Sequence, residues 1–416
     1  MRARWAGLAA ATAILLGATA VIAWRVLRPA EVSTTATASL PEVAHPPPGA
    51  VGVLVSAPLV IDDRIRVYAK KREVWADGPP SYHYERSAYW AYRRWPAEVT
   101  GVLAVQADRP VNRPLLVSAW SDGVLVAIEA ETGAVAWRVE GGEPLADKYD
   151  GRRTGSETVY HPPGLFSAGS STFITVGEQI TGRSVASGQT LWTVPLPDVP
   201  ECIGDTFTTT GGQLLLHNRC TETLTRLDVS SGQTLVAPMA AEAVEPVSCR
   251  VGHSDCAAMR VTTDDGVVTG YLVTAASPKA LAPLDASGSL YDGRNVIVPE
   301  AGLSSLSAVD PAGHVLWTWR PAAPAPFKLL SADRNRVLLL ESDSTLVSLD
   351  PATGRFKSYA SALMQHEPLL PYDVSDWYVS GSYVVLERTN PDVSPTAGDE
   401  EYYYTNRPIL IASAGP

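Results

Sequence analysis

Asp122-Gly-Val-Leu-Val-Ala-Ile-Glu-Ala-Glu-Thr-Gly133-Ala-Val-Ala-Trp137 is the stretch that decides the fold. A β-rich apolar run, Val124–Ile128, leads into a polar turn closed by Gly133, and an indole follows four residues later. Four more segments align on that glycine. They are Ser184-Val-Ala-Ser-Gly188-Gln-Thr-Leu-Trp192, Asp228-Val-Ser-Ser-Gly232-Gln-Thr-Leu-Val236, Asp310-Pro-Ala-Gly313-His-Val-Leu-Trp317 and Asp350-Pro-Ala-Thr-Gly354-Arg-Phe-Lys. The glycines are spaced by 55, 44, 81 and 41 residues, and Thr274–Pro278 supplies a degenerate turn inside the long interval. Asp or Ser ahead of such a turn bonds nearby backbone N–H groups, and Gly supplies the left-handed residue of a bulged hairpin.

Upstream of the turns lie paired apolar runs, as in Leu115–Val117, Leu214–Leu216, Val296–Val298 and Val337–Leu340, followed by Leu306–Val309 and Leu346–Leu349. Strands apolar on both faces are covered on both faces. Trp137, Trp192 and Trp317 recur at one offset from their glycines, which suits a wedge between neighbouring sheets. A period of roughly 40–45 residues with several short strands per unit is the signature of a β-propeller. Gly and Pro recur too often for a helical solenoid, and a two-sheet sandwich leaves the Gly-to-Trp offset without a reason. The predicted fold is therefore all-β, with four-stranded antiparallel blades. Turns near 133, 188, 232, 278, 313 and 354 plus a last unit at 376–412 predict seven blades, with eight as the alternative. Strands from Leu59–Tyr68 are expected to complete the last unit.

The segment Asp122–Trp137 resembles the pyrroloquinoline-quinone-like repeat, strongly in that copy and more loosely over residues 99–360. Similar repeats build quinoprotein alcohol dehydrogenases and the propeller lipoprotein of the outer-membrane assembly machinery. Tyr89-Trp90-Ala-Tyr92-Arg93-Arg94 also resembles the start of membrane-anchored propellers of this kind. The resemblance implies a quinone only where a vicinal Cys-Cys pair, a stacking Trp and calcium ligands accompany it. No Cys-Cys pair exists here, so no cofactor is expected and quinone-dependent dehydrogenase activity is the remoter alternative.

The rest of the chain sets the compartment. The formal charge is −11, of which residues 1–28 carry +4, leaving −15 on the remainder. Nucleic-acid binding draws its energy from Lys and Arg on phosphates, so this acidic body excludes it. Ala6–Trp24 is uncharged and long enough to span a bilayer, with Trp5 and Trp24 at its ends. The predicted organisation is a membrane anchor at 1–28 (helix about 5–27), a Pro/Thr/Ala-rich linker at 29–54, and a propeller at 55–416. A cleaved signal ending at Ala18-Thr19-Ala20, hence a secreted protein, is the alternative. A three-residue turn at Thr210–Gly212 would bring Cys202 opposite Cys220, and Cys249–Cys256 would close a loop around Gly252. Four Cys allow three connectivities, with buried free thiols as the alternative; the two disulfides, if formed, would place the body outside the cytoplasm.

No nucleophile elbow, metalloprotease helix or phosphate loop occurs, and the seven histidines are read as loop or strand-edge residues. Three segments interrupt the repeat and are the places to seek recognition. The first is Ser81–Trp95, with Tyr89, Trp90, Tyr92, Arg93 and Arg94; the second is Asp147–Gly164; the third is Asn390–Tyr404, ending in Tyr402, Tyr403 and Tyr404. The expected function is a non-enzymatic, membrane-tethered binding or scaffold module of the cell envelope, with an envelope protein or a carbohydrate as partner. A sensor or enzyme with a carbohydrate-like ligand in the central funnel is the alternative.

Overall fold

The computed structural model describes residues 30–415 apart from 107–112, 146–147, 150–151, 197–198, 236–237, 275–276, 301, 303, 323–324 and 368–369, together with 17 and 19. The expected membrane helix lies outside the described residues. Among the described residues, no helix is long and apolar enough to cross a membrane.

Eight antiparallel sheets make a β-propeller with eight blades, not seven. In chain order they span residues 58–95, 99–140, 165–195, 203–240, 243–280, 290–319, 327–361 and 373–413, and are called blades 1 to 8. The last takes its outer strand, Gly49–Leu54, from the N-terminal side of the chain, where it pairs with Ile409–Ser413. This closure leaves no open seam in the ring. Leu59–Tyr68 does not complete the last unit. It opens blade 1, whose strands are Pro58–Ile61, Ile65–Lys70, Glu73–Asp77 and Trp90–Trp95. Blade 1 escaped the repeat count because the connection before Trp90 runs over Gly78–Tyr89 and carries no turn glycine at the expected offset.

The glycine–tryptophan unit is a blade-to-blade lock. Trp137 of blade 2 donates its indole N–H to the Val185 carbonyl of blade 3 (2.9 Å), Trp192 of blade 3 to Val229 of blade 4 (2.9 Å), and Trp317 of blade 6 to Pro351 of blade 7 (2.8 Å). Each ring lies flat on the next blade's turn glycine, so a Cβ on Gly188, Gly232 or Gly354 would meet it at 2.6–2.7 Å. Trp90 makes the same lock from blade 1, onto the Ala130 carbonyl (2.8 Å) and Gly133. Gly313 has nothing within 4 Å, and it follows blade 5, whose outer strand is only Lys279–Ala280. The middle strands of the blades are buried on both faces, as in Pro114–Trp120 and Val337–Glu341. The core is therefore a series of layers between blades, such as Leu103, Val117, Leu125 and Phe173 between blades 2 and 3.

Within the expected linker, residues 30–54 are packed on the propeller. Ala30–Thr34 adds a fifth strand to blade 1, pairing with Trp90–Trp95, and Glu31 takes ion pairs from Arg94 (3.1 Å) and Arg138 (2.9 Å). The stretch up to Gly49 then crosses from blade 1 to the neighbouring blade 8. Its carbonyls at Ala38, Ala44 and Pro46 accept from Tyr89 (2.7 Å), Tyr383 (3.0 Å) and Ser413 (3.1 Å). A proline-rich segment lacks N–H donors for a ladder but keeps its acceptors, and side-chain hydroxyls of the body reach them.

Candidate functional site

Two of the three repeat-breaking segments form one structure. The insertion between blades 2 and 3 carries a short helix, Ser156–Tyr160, and meets the insertion between the second and third strands of blade 8. Arg152 bonds Asp399 (3.0 Å) and the Ala397 and Pro395 carbonyls, and its guanidinium covers the Tyr402 ring at 3.9 Å. Arg153 pairs with Glu400 (3.3 Å) and lies 4.9 Å from the Tyr403 ring. Beneath them the buried Glu387 carboxylate accepts from Thr154, Ser156 (3.1 Å), Ser375 (2.9 Å) and Tyr403 (3.2 Å). Burial and the neighbouring Glu387 charge push the Tyr403 hydroxyl well above its ordinary pKa. The helix ends at Tyr160, whose ring stacks on Tyr378 at 5.3 Å and whose hydroxyl donates to Pro58.

Beyond this plug lies a cavity of about 820 Å³, lined chiefly by blades 5 to 8. Three residues converge there that no local sequence pattern joins. His161 Nε2 lies 3.1 Å from Asp376, and its ring centroid is 5.1 Å from that of His253. His253 sits in the Cys249–Cys256 loop, where Gly252 approaches so closely that a Cβ would lie 2.2 Å from the Tyr160 carbonyl. Burial alone would lower the pKa of His161, but the hydrogen bond and charge of Asp376 outweigh it and raise the value. His253 is lowered by burial and then by the charge of His161.

The signs of these two shifts oppose each other. The stabilisation from His161 is complete below the ordinary histidine pKa, roughly 6.5, and is lost as pH rises through its raised folded value. For His253 the unfolded chain takes up protons more readily, so stability falls as pH drops below that same value. His161→Gln should therefore flatten the loss on the alkaline side and His253→Gln the loss on the acid side, in urea unfolding at pH 5, 6.5 and 8. Identical pH profiles for both variants and the parent chain would contradict this assignment.

The lining acids are already partnered. Asp255 accepts from Arg250 (2.5 Å) and Ser167 (2.9 Å), Asp376 from His161, and Asp292 from the Arg294 and Asn295 N–H groups (2.7 Å each). Among the described residues no three His, Cys, Asp or Glu side chains are grouped to hold a metal ion. Nor do the lining residues fit a quinone of the kind the repeat implies. The disulfide here spans a loop instead of joining neighbours, and Trp377 donates to the Leu330 carbonyl (2.7 Å) while Lys328 sits 4.5 Å over its ring.

The other expected positions fall as follows. Both expected disulfides are formed, Cys202–Cys220 with Cα atoms 5.3 Å apart in blade 4, and Cys249–Cys256. Trp90, Tyr92 and Arg94 are buried, the last gripped by Asp122 (2.8 and 2.9 Å), while Tyr89 holds the crossing segment. Only Arg93 in that group points outward, paired with Glu73 (2.9 Å). Tyr403 is buried, and Tyr402 and Tyr404 are half-buried against Arg152 and Arg388.

The exposed apolar surface lies elsewhere. Val315 and Leu316 on the outer strand of blade 6, with Phe356 and Tyr359 on that of blade 7, are 50–61% exposed. Phe356 stands edge-on to Trp319 of blade 6 at 6.4 Å and to Tyr359 at 6.3 Å, so the outer strands of blades 6 and 7 meet at these rings. The signal for it was present at Val315 and Leu316, the second and third residues after Gly313, and at Phe356, the second after Gly354, on outer strands.

Residues 86–210 match the family described as outer membrane protein assembly factor BamB, and the chain is a propeller of pyrroloquinoline-quinone-like repeats. No curated protein matches it. Similar solved structures include BamB from Moraxella catarrhalis, at 15% identity over 89% of this chain and 98% of that one, with a TM-score of 0.46. The computationally designed Ika8 protein is 11% identical over 87% and 99%, with a TM-score of 0.45. The C-terminal WD40 domain of Sif2 is 9% identical over 90% and 98%, with a TM-score of 0.42.

Proposed function

We propose that this chain is a binding or scaffold propeller of the cell envelope, tethered to a membrane by its N-terminal segment and acting outside the cytoplasm on a protein partner. The carrying observation is the exposure of Val315, Leu316, Phe356 and Tyr359, the apolar ridge residues, on the outer strands of neighbouring blades 6 and 7, whose backbone edges are free. Contiguous exposed apolar patches mark association surfaces, and an edge strand offers unpaired N–H and C=O groups to a partner strand. Export is supported by the two disulfides, and tethering by the uncharged run Ala6–Trp24.

The test is photo-crosslinking in native membranes from the full chain carrying a benzophenone residue at Leu316 or Tyr359, with exposed Val267 of blade 5 as control. The expected result is a discrete adduct from the first two positions that Leu316→Lys/Phe356→Lys abolishes. Equal, diffuse labelling from all three positions would reject the ridge as the interface. A second reading is a carbohydrate-like ligand in the cavity, favoured by Trp377, Tyr291 and His253 in its lining. It calls for saturation-transfer signals from oligosaccharides that vanish on Trp377→Ala.

A further inference from the structure

We propose that the outer edge of blade 1 is a lipid-facing surface that rests on anionic headgroups, an inference that depends on the membrane tether above. The register decides where the chain arrives: Ala30 is paired with Trp95, so the peptide that follows the apolar run Ala6–Trp24 joins the propeller at that indole. Only residues 25–29 intervene, and Arg25 and Arg28 are among them. The body is therefore strapped to its anchor by five antiparallel pairs, from Ala30↔Trp95 to Thr34↔Ala91, and has little room to stand away from the bilayer.

The surface at that point has the composition of a membrane interface. Trp95 is 47% exposed although its strand neighbours Trp90, Tyr92 and Arg94 are buried. The Arg72 guanidinium covers its ring at 3.4 Å, and Val32 and Arg93 are exposed beside it. Lys70 and Lys71 adjoin Arg72, and Lys148 comes alongside because the Tyr149 N–H bonds Glu98, the partner of Lys71. Two ion pairs here are oriented. Lys71 is 62% exposed against 19% for Glu98, and Arg93 57% against 19% for Glu73. The carboxylates sit inward and the cations outward, so an acidic body presents a locally positive face. An amphipathic indole among outward cations is suited to headgroup depth, and Lys and Arg there are attracted by anionic lipid.

The experiment uses the full chain reconstituted into vesicles of bromine-labelled phosphatidylcholine, with or without phosphatidylglycerol. The fluorescence difference between the parent chain and Trp95→Phe isolates one indole among eleven. We expect that difference to be quenched at least about twofold more in anionic vesicles than in neutral ones, and the gain to disappear at high salt or in Lys71→Glu/Arg72→Glu/Arg93→Glu. If the remaining tryptophan emission is quenched through Trp5 and Trp24 while the Trp95 component is not, the anchor stands and the lipid-facing edge is rejected. If neither is quenched, the tether reading fails and this inference fails with it.

Discussion

Replacing Arg66 with Met is expected to destabilise the ring by about 3–5 kcal/mol, the usual penalty for removing one partner of a buried ion pair. Arg66 and Asp77 are completely buried and joined by two bonds, Nε–Oδ1 at 2.8 Å and Nη2–Oδ2 at 2.5 Å. Burial opposes the charge of Arg66, but the bond to Asp77 together with the charges of Tyr68, Asp77 and Glu85 outweighs it and raises its pKa. The guanidinium also donates to the Tyr82 and Tyr84 carbonyls (3.0 Å each), and Asp77 accepts from Tyr68 (3.2 Å) and the Arg86 N–H (2.8 Å). Those bonds shape the Gly78–Tyr89 connection, which in turn meets the closing strand. The His83 carbonyl takes the Val53 N–H (2.9 Å), and Glu85 takes those of Val55 (3.2 Å) and Ser56 (2.8 Å).

Methionine fills the space but leaves Asp77 charged without its cation and two carbonyls without donors. The measurement is the urea unfolding midpoint at constant slope. Arg66→Met/Asp77→Leu should recover part of the loss, because the stranded charge is gone while the carbonyls remain unsatisfied. A midpoint for Arg66→Met that corresponds to less than about 1 kcal/mol would show that ring closure does not depend on this pair.

The second large effect is local. Glu387→Ala removes one acceptor shared by four hydroxyls from three parts of the chain, Thr154 and Ser156 of one insertion, Tyr403 of the other and Ser375 of blade 8. Hydrogen bonds to a buried charged group contribute about 1.5–3 kcal/mol each, but water or repacking recovers part of that, so a loss of about 3 kcal/mol is the expected order. It should appear first as release of the plug. Arg152 and Arg153, now clamped by Asp399, Glu400 and nearby carbonyls, should become open to trypsin well before global unfolding. Cleavage at those arginines no faster than in the parent chain would mean that the two insertions hold without Glu387.

Much of the architecture was legible because the repeat encodes it locally. Asp228, Asp310 and Asp350 each accept backbone N–H groups of their own turns, as at Ser230 (3.0 Å), Ala312 (2.8 Å) and Thr353 (2.8 Å), and such bonds need only a few adjacent residues. The tryptophan offset was legible for the same reason, since indole and glycine repeat at one spacing. The blade count was not, because blade 1 keeps its indole at Trp90 but replaces the turn with an insertion. The aromatic run around it was expected to offer recognition residues, yet strand alternation turns Trp90, Tyr92 and Arg94 inward.

By itself, the sequence determined the propeller class and offered the two cysteine pairings that the structure forms. Each of these rests on composition or on residues close along the chain. Only the tertiary structure decided that Gly49–Leu54 closes the ring and that Ala30–Thr34 is a fifth strand instead of slack tether. It alone brought His161 to Asp376, 215 residues away, and Thr154 to Glu387, 233 away. A closed ring sets its first and last blades side by side and lets insertions far apart in the chain meet, as Arg152 meets Asp399. Contacts made that way depend on closure, a property of the whole chain that no window of sequence contains.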